Sequence, residues 1–155
     1  MVKIKKQYGN GEKRGRFYTG NFTPKHPEKY RGTLPIIYRS RWEKVFMSFC
    51  DINENVLYWA SESVVIQYFD PVKNKMRRYF TDFFIEFKNG EKQLIEVKPL
   101  RETTAPKATQ GKRKTTLLRE EKTWQTNQAK WEAATHLCKK KGWKFLIITE
   151  KDLGL

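Results

Sequence analysis

The sequence predicts a single α/β domain built on a mixed sheet, with the element order α-β-β-β-α-β. Three observations predict it. An apolar stripe at helical spacing opens the organised region, three β-branched and aromatic runs follow it, and a long helical stretch leads into a last apolar run. The second and third runs are joined by a short turn and pair antiparallel. The last run is reached through a crossover helix and is therefore predicted parallel to the third. A chain of 155 residues fits one domain.

In the first helix Trp42, Val45, Phe46 and Phe49 fall at i, i+3, i+4 and i+7, the spacing of one buried face. Ser40 stands where an N-cap is needed, and residues 51–55 end the helix. Val64-Val65-Ile66-Gln67-Tyr68-Phe69 is the first strand, closed by Asp70-Pro71 and Lys73-Asn74-Lys75. The second strand is predicted over 76–87 and the third over 92–97, with Lys88-Asn89-Gly90 turning the chain between them. Residues 117–141 read as helical, in one or two pieces, with Trp124, Trp131 and Cys138 recurring every seven residues as core. Gly142 ends the helix as a left-handed cap, and 143–149 form the last strand.

The chain carries 32 Lys and Arg against 17 Asp and Glu, a formal charge of +15, so a polyanionic partner is expected. A hydrophobic fraction of 38 % with 14 % aromatics supplies a real core and excludes a wholly disordered basic tail. No apolar run approaches the roughly 20 residues of a membrane span, and Met1-Val2-Lys3-Ile4-Lys5-Lys6 lacks the apolar stretch of a secretory signal, so no membrane partner is expected. Two cysteines, Cys50 and Cys138, make no disulfide framework, which points to a reducing cytoplasm. His26 and His136 have no zinc spacing with them, and phosphate-cradling glycine loops and G-x-S-x-G are missing.

The charge has an address. Residues 1–31 hold nine basic side chains against Glu12 and Glu28, with four glycines and no periodicity, and read as a basic N-terminal arm. Residues 32–155 form the folded domain. Within it, 99–116 read as a mobile basic loop that carries Arg101, Lys107, Lys112, Arg113 and Lys114. Two such segments flanking one core favour nucleic acid, bound mostly through phosphates, with Lys112, Arg113 and Lys114 as DNA contacts.

The chemistry-bearing residues are Asp82 on the second strand and Glu96-Val97-Lys98 on the third. Alternation puts Glu96 and Lys98 on one face and Val97 on the other. A two-residue turn would set Asp82 opposite Val97. A three-residue turn with Gly90 left-handed sets it opposite Glu96, and makes Phe83, Ile85, Phe87, Ile95 and Val97 one apolar layer. Burial selects the second register. Two facing carboxylates repel unless a cation lies between them, and hard oxygen ligands favour Mg²⁺, with Mn²⁺ as a substitute. A lysine beside them can stabilise charge building on a phosphate.

An Asp, a hairpin and then Glu-x-Lys on a meander preceded by a helix resembles the PD-(D/E)xK nuclease superfamily. More narrowly, several segments resemble the head-completion nucleases of T-even-type tailed phages. They are Lys29-Tyr30-Arg31-Gly32, Tyr38-Arg39-Ser40-Arg41-Trp42-Glu43, Trp59-Ala60-Ser61-Glu62, Arg77-Arg78-Tyr79-Phe80-Thr81-Asp82, Ile95-Glu96-Val97-Lys98-Pro99 and Lys130-Trp131-Glu132-Ala133-Ala134. The catalytic half is similar to the end-cleaving endonuclease subunit of heteromeric transposases. Thr81 stands where the superfamily label has proline, which is not a ligand.

The resemblance implies a restriction-endonuclease-like core and a divalent-metal DNA endonuclease that trims or resolves DNA during head maturation. It implies Asp82, Glu96 and Glu43 as catalytic metal ligands, with Val97 counted in the metal site and Lys98 as the catalytic lysine. Glu43 is also the acid of a Ser40-x-x-Glu43 capping box. Glu62 is expected to support the ligands, and Arg39, Arg77 and Arg78 to contact phosphate at the site edges. Asn127 and Gln128 read as solvated helix positions within reach of a ligand. A host-cytoplasmic protein, associated with head or portal proteins in the virion, follows from the same likeness. Two alternatives remain at this point: a catalytically silent virion or portal protein on a nuclease fold, and a junction-resolving nuclease.

Overall fold

The computed structural model describes residues 18–155. In chain order the elements are β1 (Gly20–Phe22), β2 (Ile36–Tyr38), α1 (Arg41–Ile52), β3 (Val56–Ser61), β4 (Val65–Asp70), β5 (Lys75–Phe80), β6 (Phe83–Phe87), β7 (Lys92–Val97), α2 (Lys114–Lys141) and β8 (Lys144–Ile148). The main sheet is β3-β6-β7-β8, mixed because β8 runs parallel to β7 as predicted while the other pairs are antiparallel. The pairs β1-β2 and β4-β5 form two small antiparallel sheets beside it.

The two faces of the main sheet are covered by different helices. Phe83, Ile85, Ile95 and Val97 pack with Phe46, Met47 and Cys50 of α1, and Val56, Trp59, Ile36 and Tyr38 complete that core. The other face, through Leu94 and Phe84, packs with Ala134 and Cys138 of α2 and with Ile66, Tyr68 and Tyr79 of the β4-β5 hairpin. Burying both faces leaves the ends of the strands as the places where polar chemistry can reach solvent. No helix among the described residues is long and apolar enough to cross a membrane.

Several expectations are corrected. Residues 18–31 of the predicted arm are built into the fold, since Gly20–Phe22 pairs with β2. The Lys29 ammonium donates to the carbonyls of Cys50, Asp51 and Asn53 at the end of α1, while the N–H groups of Lys25 and His26 donate to the Asp51 carboxylate. Open carbonyls at a helix end attract a cation, and that attraction orders a stretch whose composition reads as irregular. Residues 1–17 lie outside the described ones. An unexpected strand, β3, follows α1 directly; a register shift between Val56 and Tyr58 breaks the alternation that would reveal it.

The run 76–87 is two strands, not one. It leaves β4 at Thr81, whose N–H and hydroxyl both donate to the Val64 carbonyl, and enters the main sheet at Phe83. The buried stripe of α1 is Phe46, Met47, Cys50 and Asp51, with Phe49 exposed at 40 %, so the inward face is turned one position from the expected one. Helix α2 is one piece and begins at Lys114, inside the predicted basic loop; a short 3-10 turn, Leu100–Glu102, occupies the start of that loop. Gly142 ends α2 at φ +72°, donating its N–H to the Cys138 and Lys139 carbonyls.

Candidate active site

The hairpin between β6 and β7 sets the site. Gly90, at φ +89°, donates to the Phe87 carbonyl, and the Phe87 N–H donates to the Glu91 carbonyl, which closes a three-residue loop. Phe83 then faces Ile95, and Phe84 faces Leu94. One step further, Asp82 meets Glu96 at the end of the strand pair, on the α2 side of the sheet. Turn length thus decides which side chains share the site, because a slip of one residue would put Val97 there instead.

Glu96 is only 4 % exposed. Its Oε2 accepts a 2.5 Å hydrogen bond from the Tyr79 hydroxyl, and its Oε1 lies 3.6 Å from the Lys98 ammonium. Asp82 Oδ2 accepts the Val97 N–H at 2.7 Å. Burial first, and then the nearby charges of Glu96 and Glu43, push the Asp82 carboxyl well above the usual range, against the pull of the Val97 N–H and Lys98. Val97 itself points its side chain into the α1 core and meets the site through that amide.

Glu43 belongs to the rotated stripe of α1, at i−3 from Phe46 and i−4 from Met47, which turns it toward the sheet. Its N–H donates to Ser40 Oγ at 3.1 Å, and its carboxylate accepts the Arg39 N–H at 2.8 Å. The cap is real, with the return bond made to the residue before the N-cap. Burial, with the Glu62 charge added, raises the Glu43 carboxyl although the Arg39 and Ser40 hydrogen bonds oppose it. Capping box and site proximity therefore coexist in one side chain.

Glu62 sits between β3 and β4 at φ +52°, a conformation L residues rarely adopt. Its N–H donates to the Asp82 carbonyl at 3.0 Å, and its carboxylate pairs with Arg39 at 2.6 Å. Glu62 thus touches Asp82 through the backbone and Glu43 through Arg39. The phosphate contacts expected at Arg39 and Arg77 are already engaged. Arg77 pairs at 3.0 Å with Asp70, which is buried and also accepts the Val72 N–H and the Thr126 hydroxyl. Burial alone would raise Asp70, but these donors outweigh it and hold the carboxyl below its usual range. Arg78 is exposed over the Phe80 ring, on the outer face of the hairpin. Lys112 pairs with Glu120 at 2.8 Å, while Arg113 and Lys114 stand exposed at the start of α2. Asn127 is buried rather than solvated, and Gln128 is exposed.

Two residues join the site that the sequence did not single out. Tyr79 is the buried position on a strand whose other residues are all exposed, and a phenol so placed needs an acceptor. Lys130 lies three residues after Asn127 and four before Ala134, on the buried stripe of α2, where a cation is out of place.

Asp82 and Glu96 are a hard oxygen set at the mouth of the sheet, and the Asp82 carboxyl is raised by burial first and by the Glu96 charge second, both of which a divalent cation would offset. The donor chemistry fits such an ion. Among the described residues no three His, Cys, Asp or Glu side chains close around one point, and Glu43 acts on Asp82 through its charge.

A family model described as TnsA-like endonuclease N terminal matches residues 53–150, from just before β3 to just after β8. That stretch holds Asp82, Glu96, Lys98, Tyr79 and Lys130, and leaves Glu43 outside. The head completion nuclease of Enterobacteria phage T4 is 41 % identical over 142 residues, covering 88 % of this chain and 93 % of that protein.

Proposed function

The chain belongs to the TnsA-like endonuclease family, and from that premise we propose that it hydrolyses DNA phosphodiester bonds with a divalent cation, Mg²⁺ or Mn²⁺, held by Asp82 and Glu96. The observation that carries this is the pairing of Asp82 with Glu96 across the β6-β7 hairpin, with Lys98 at 3.6 Å from Glu96. The cation, when bound, neutralises the carboxylates and polarises a phosphate oxygen. Tyr79 holds one Glu96 oxygen, the Val97 N–H holds one Asp82 oxygen, and Glu43 lends negative charge from the opposite layer. Lys98 faces the phosphate, where it offsets the charge that builds as a water oxygen bonds to phosphorus and the ester bond breaks. Binding is through phosphates, with weak sequence reading and steep salt dependence.

The T4 relative is named for head completion. With identity spread over most of both chains, we assign this chain the same place: trimming or resolving DNA as phage heads mature. Head or portal proteins would then be its partners, and the host cytoplasm and the virion its locations. Incubation with branched, linear and supercoiled DNA plus Mg²⁺ tests the reading. Wild type should cut, and Lys98→Ala and Asp82→Asn should not. Equal cleavage by all three overturns it. Failure of every form to cut favours the silent structural role, and strict dependence on branches favours the junction-resolving one.

A further inference from the structure

Helix α2 brings one more cation to the same end of the sheet. The Lys130 ammonium lies 5.4 Å from the centroid of the Tyr79 ring and 5.9 Å from that of Tyr68. Tyr79 is the residue whose hydroxyl holds Glu96, so Lys130, Tyr79, Glu96 and Lys98 form a continuous series across the site. The neighbouring cations are neutralised: Lys98 by Glu96, Arg77 by Asp70 and Arg39 by Glu62. Among the described residues, Lys130 has no carboxylate at ion-pair distance.

Burial, followed by the like charge of Lys98, holds the Lys130 ammonium below its ordinary pKa, with Glu96 only partly compensating. A partly buried, unpaired ammonium beside a second lysine is unfavourable in the free protein. Arrival of an anion reverses the sign. The two aromatic faces keep the side chain in place through cation–π attraction, but they leave its formal charge unanswered.

We propose that Lys130 binds a backbone phosphate of the DNA strand crossing the Asp82–Glu96 end of the sheet, beside the phosphate that is cut. The proposal rests on the endonuclease reading and adds a second phosphate contact to it, from the helix that covers the other side of Glu96. A solely structural Lys130, locking Tyr79 over the sheet, is the competing role.

Salt titrations separate the two. Binding of the full-length chain to a DNA duplex is measured in EDTA across a salt series for wild type, Lys130→Met and Lys130→Arg. Met keeps the aliphatic packing on the rings, and Arg keeps the charge. The slope of log K against log salt should flatten by about 0.9 in the Met variant and stay unchanged in the Arg variant. Lys130→Gln is read in the same way, should the Met variant melt early. Equal slopes in all variants overturn the proposal, whether or not the wild type cuts DNA.

Cleavage then locates the contact. On duplexes carrying one neutral methylphosphonate near the mapped cut, one position should weaken wild type about tenfold in KM and leave Lys130→Met no weaker than it already is. Additive losses at every position overturn the proposal. A wild type that binds with the steeper slope but never cuts overturns the endonuclease reading and leaves the phosphate contact standing.

Discussion

The Tyr79 hydroxyl donates a 2.5 Å hydrogen bond to Oε2 of Glu96, joining the β4-β5 hairpin to the acidic end of the main sheet. Glu96 is almost completely buried, so this bond answers a desolvated carboxylate oxygen that water reaches poorly.

Tyr79→Phe removes that donor and keeps the ring beneath Lys130. Stability in urea should fall by about 1.5–3 kcal/mol, the range for hydrogen bonds to charged groups. Cleavage should fall about tenfold or more, because one Glu96 oxygen loses the bond that orients it.

Asp82 and Asp70 should shift the pH dependence of stability in opposite directions. The folded protein raises the Asp82 carboxyl, so it binds more protons than the unfolded chain above the ordinary carboxylate range. Stability from this group is full at acid pH and is lost as the pH rises through the raised folded value. Asp82→Asn, which keeps an acceptor for the Val97 N–H, should therefore melt higher than wild type at neutral pH without metal. Each kcal/mol recovered is worth roughly 2–4 °C. The difference should vanish at low pH.

Asp70 is lowered on folding, so its stabilisation is present above the unfolded carboxylate range and disappears as the pH falls through the folded value. Asp70→Asn should cost about 1–3 kcal/mol at neutral pH and little in acid. Melting curves of both variants across pH check the pair.

Ser40 and Glu43 separate the cap from the site. Ser40→Ala removes the acceptor of the Glu43 N–H and should cost about 1 kcal/mol with a small effect on cutting. Glu43→Gln keeps an acceptor for the Arg39 N–H while removing a charge that Asp82 feels. Its stability should equal or exceed that of wild type, with cleavage reduced. Parallel denaturation and nuclease assays show whether the two effects divide in this way.

Lys98→Ala should lower single-turnover cleavage by roughly 10²–10³-fold, the scale of removing one group that stabilises transition-state charge. Its binding to DNA should change far less.

What the sequence made legible were features carried by neighbours in the chain. Ser40 as N-cap, the Lys88-Asn89-Gly90 turn, Gly142 and the parallel β8 are written in short patterns, and the turn together with burial of the Phe83-Ile85-Ile95-Val97 layer implies the Asp82–Glu96 register. What stayed hidden depends on distant partners. Gly20–Phe22 is ordered by β2 and by Lys29 on the end of α1, neither of which its own glycine- and lysine-rich surroundings suggest. The bulge in β3 erased its alternation, and periodicity continued unbroken through the change of sheet at Thr81. Tyr79 and Lys130 acquire meaning only from Glu96, 17 residues from one and on a different element from the other.

The change of sheet at Thr81 has a mechanical meaning. One extended run belongs to the β4-β5 hairpin up to Phe80 and to the main sheet from Phe83, with Asp82 inside the joint. Tilting the hairpin would strain that joint and the Tyr79–Glu96 bond, and with them its packing on α2 through Ile66, Tyr68 and the Thr126–Asp70 bond. The position of the hairpin is thereby tied to both carboxylates, to Asp82 through the chain itself and to Glu96 through one hydrogen bond.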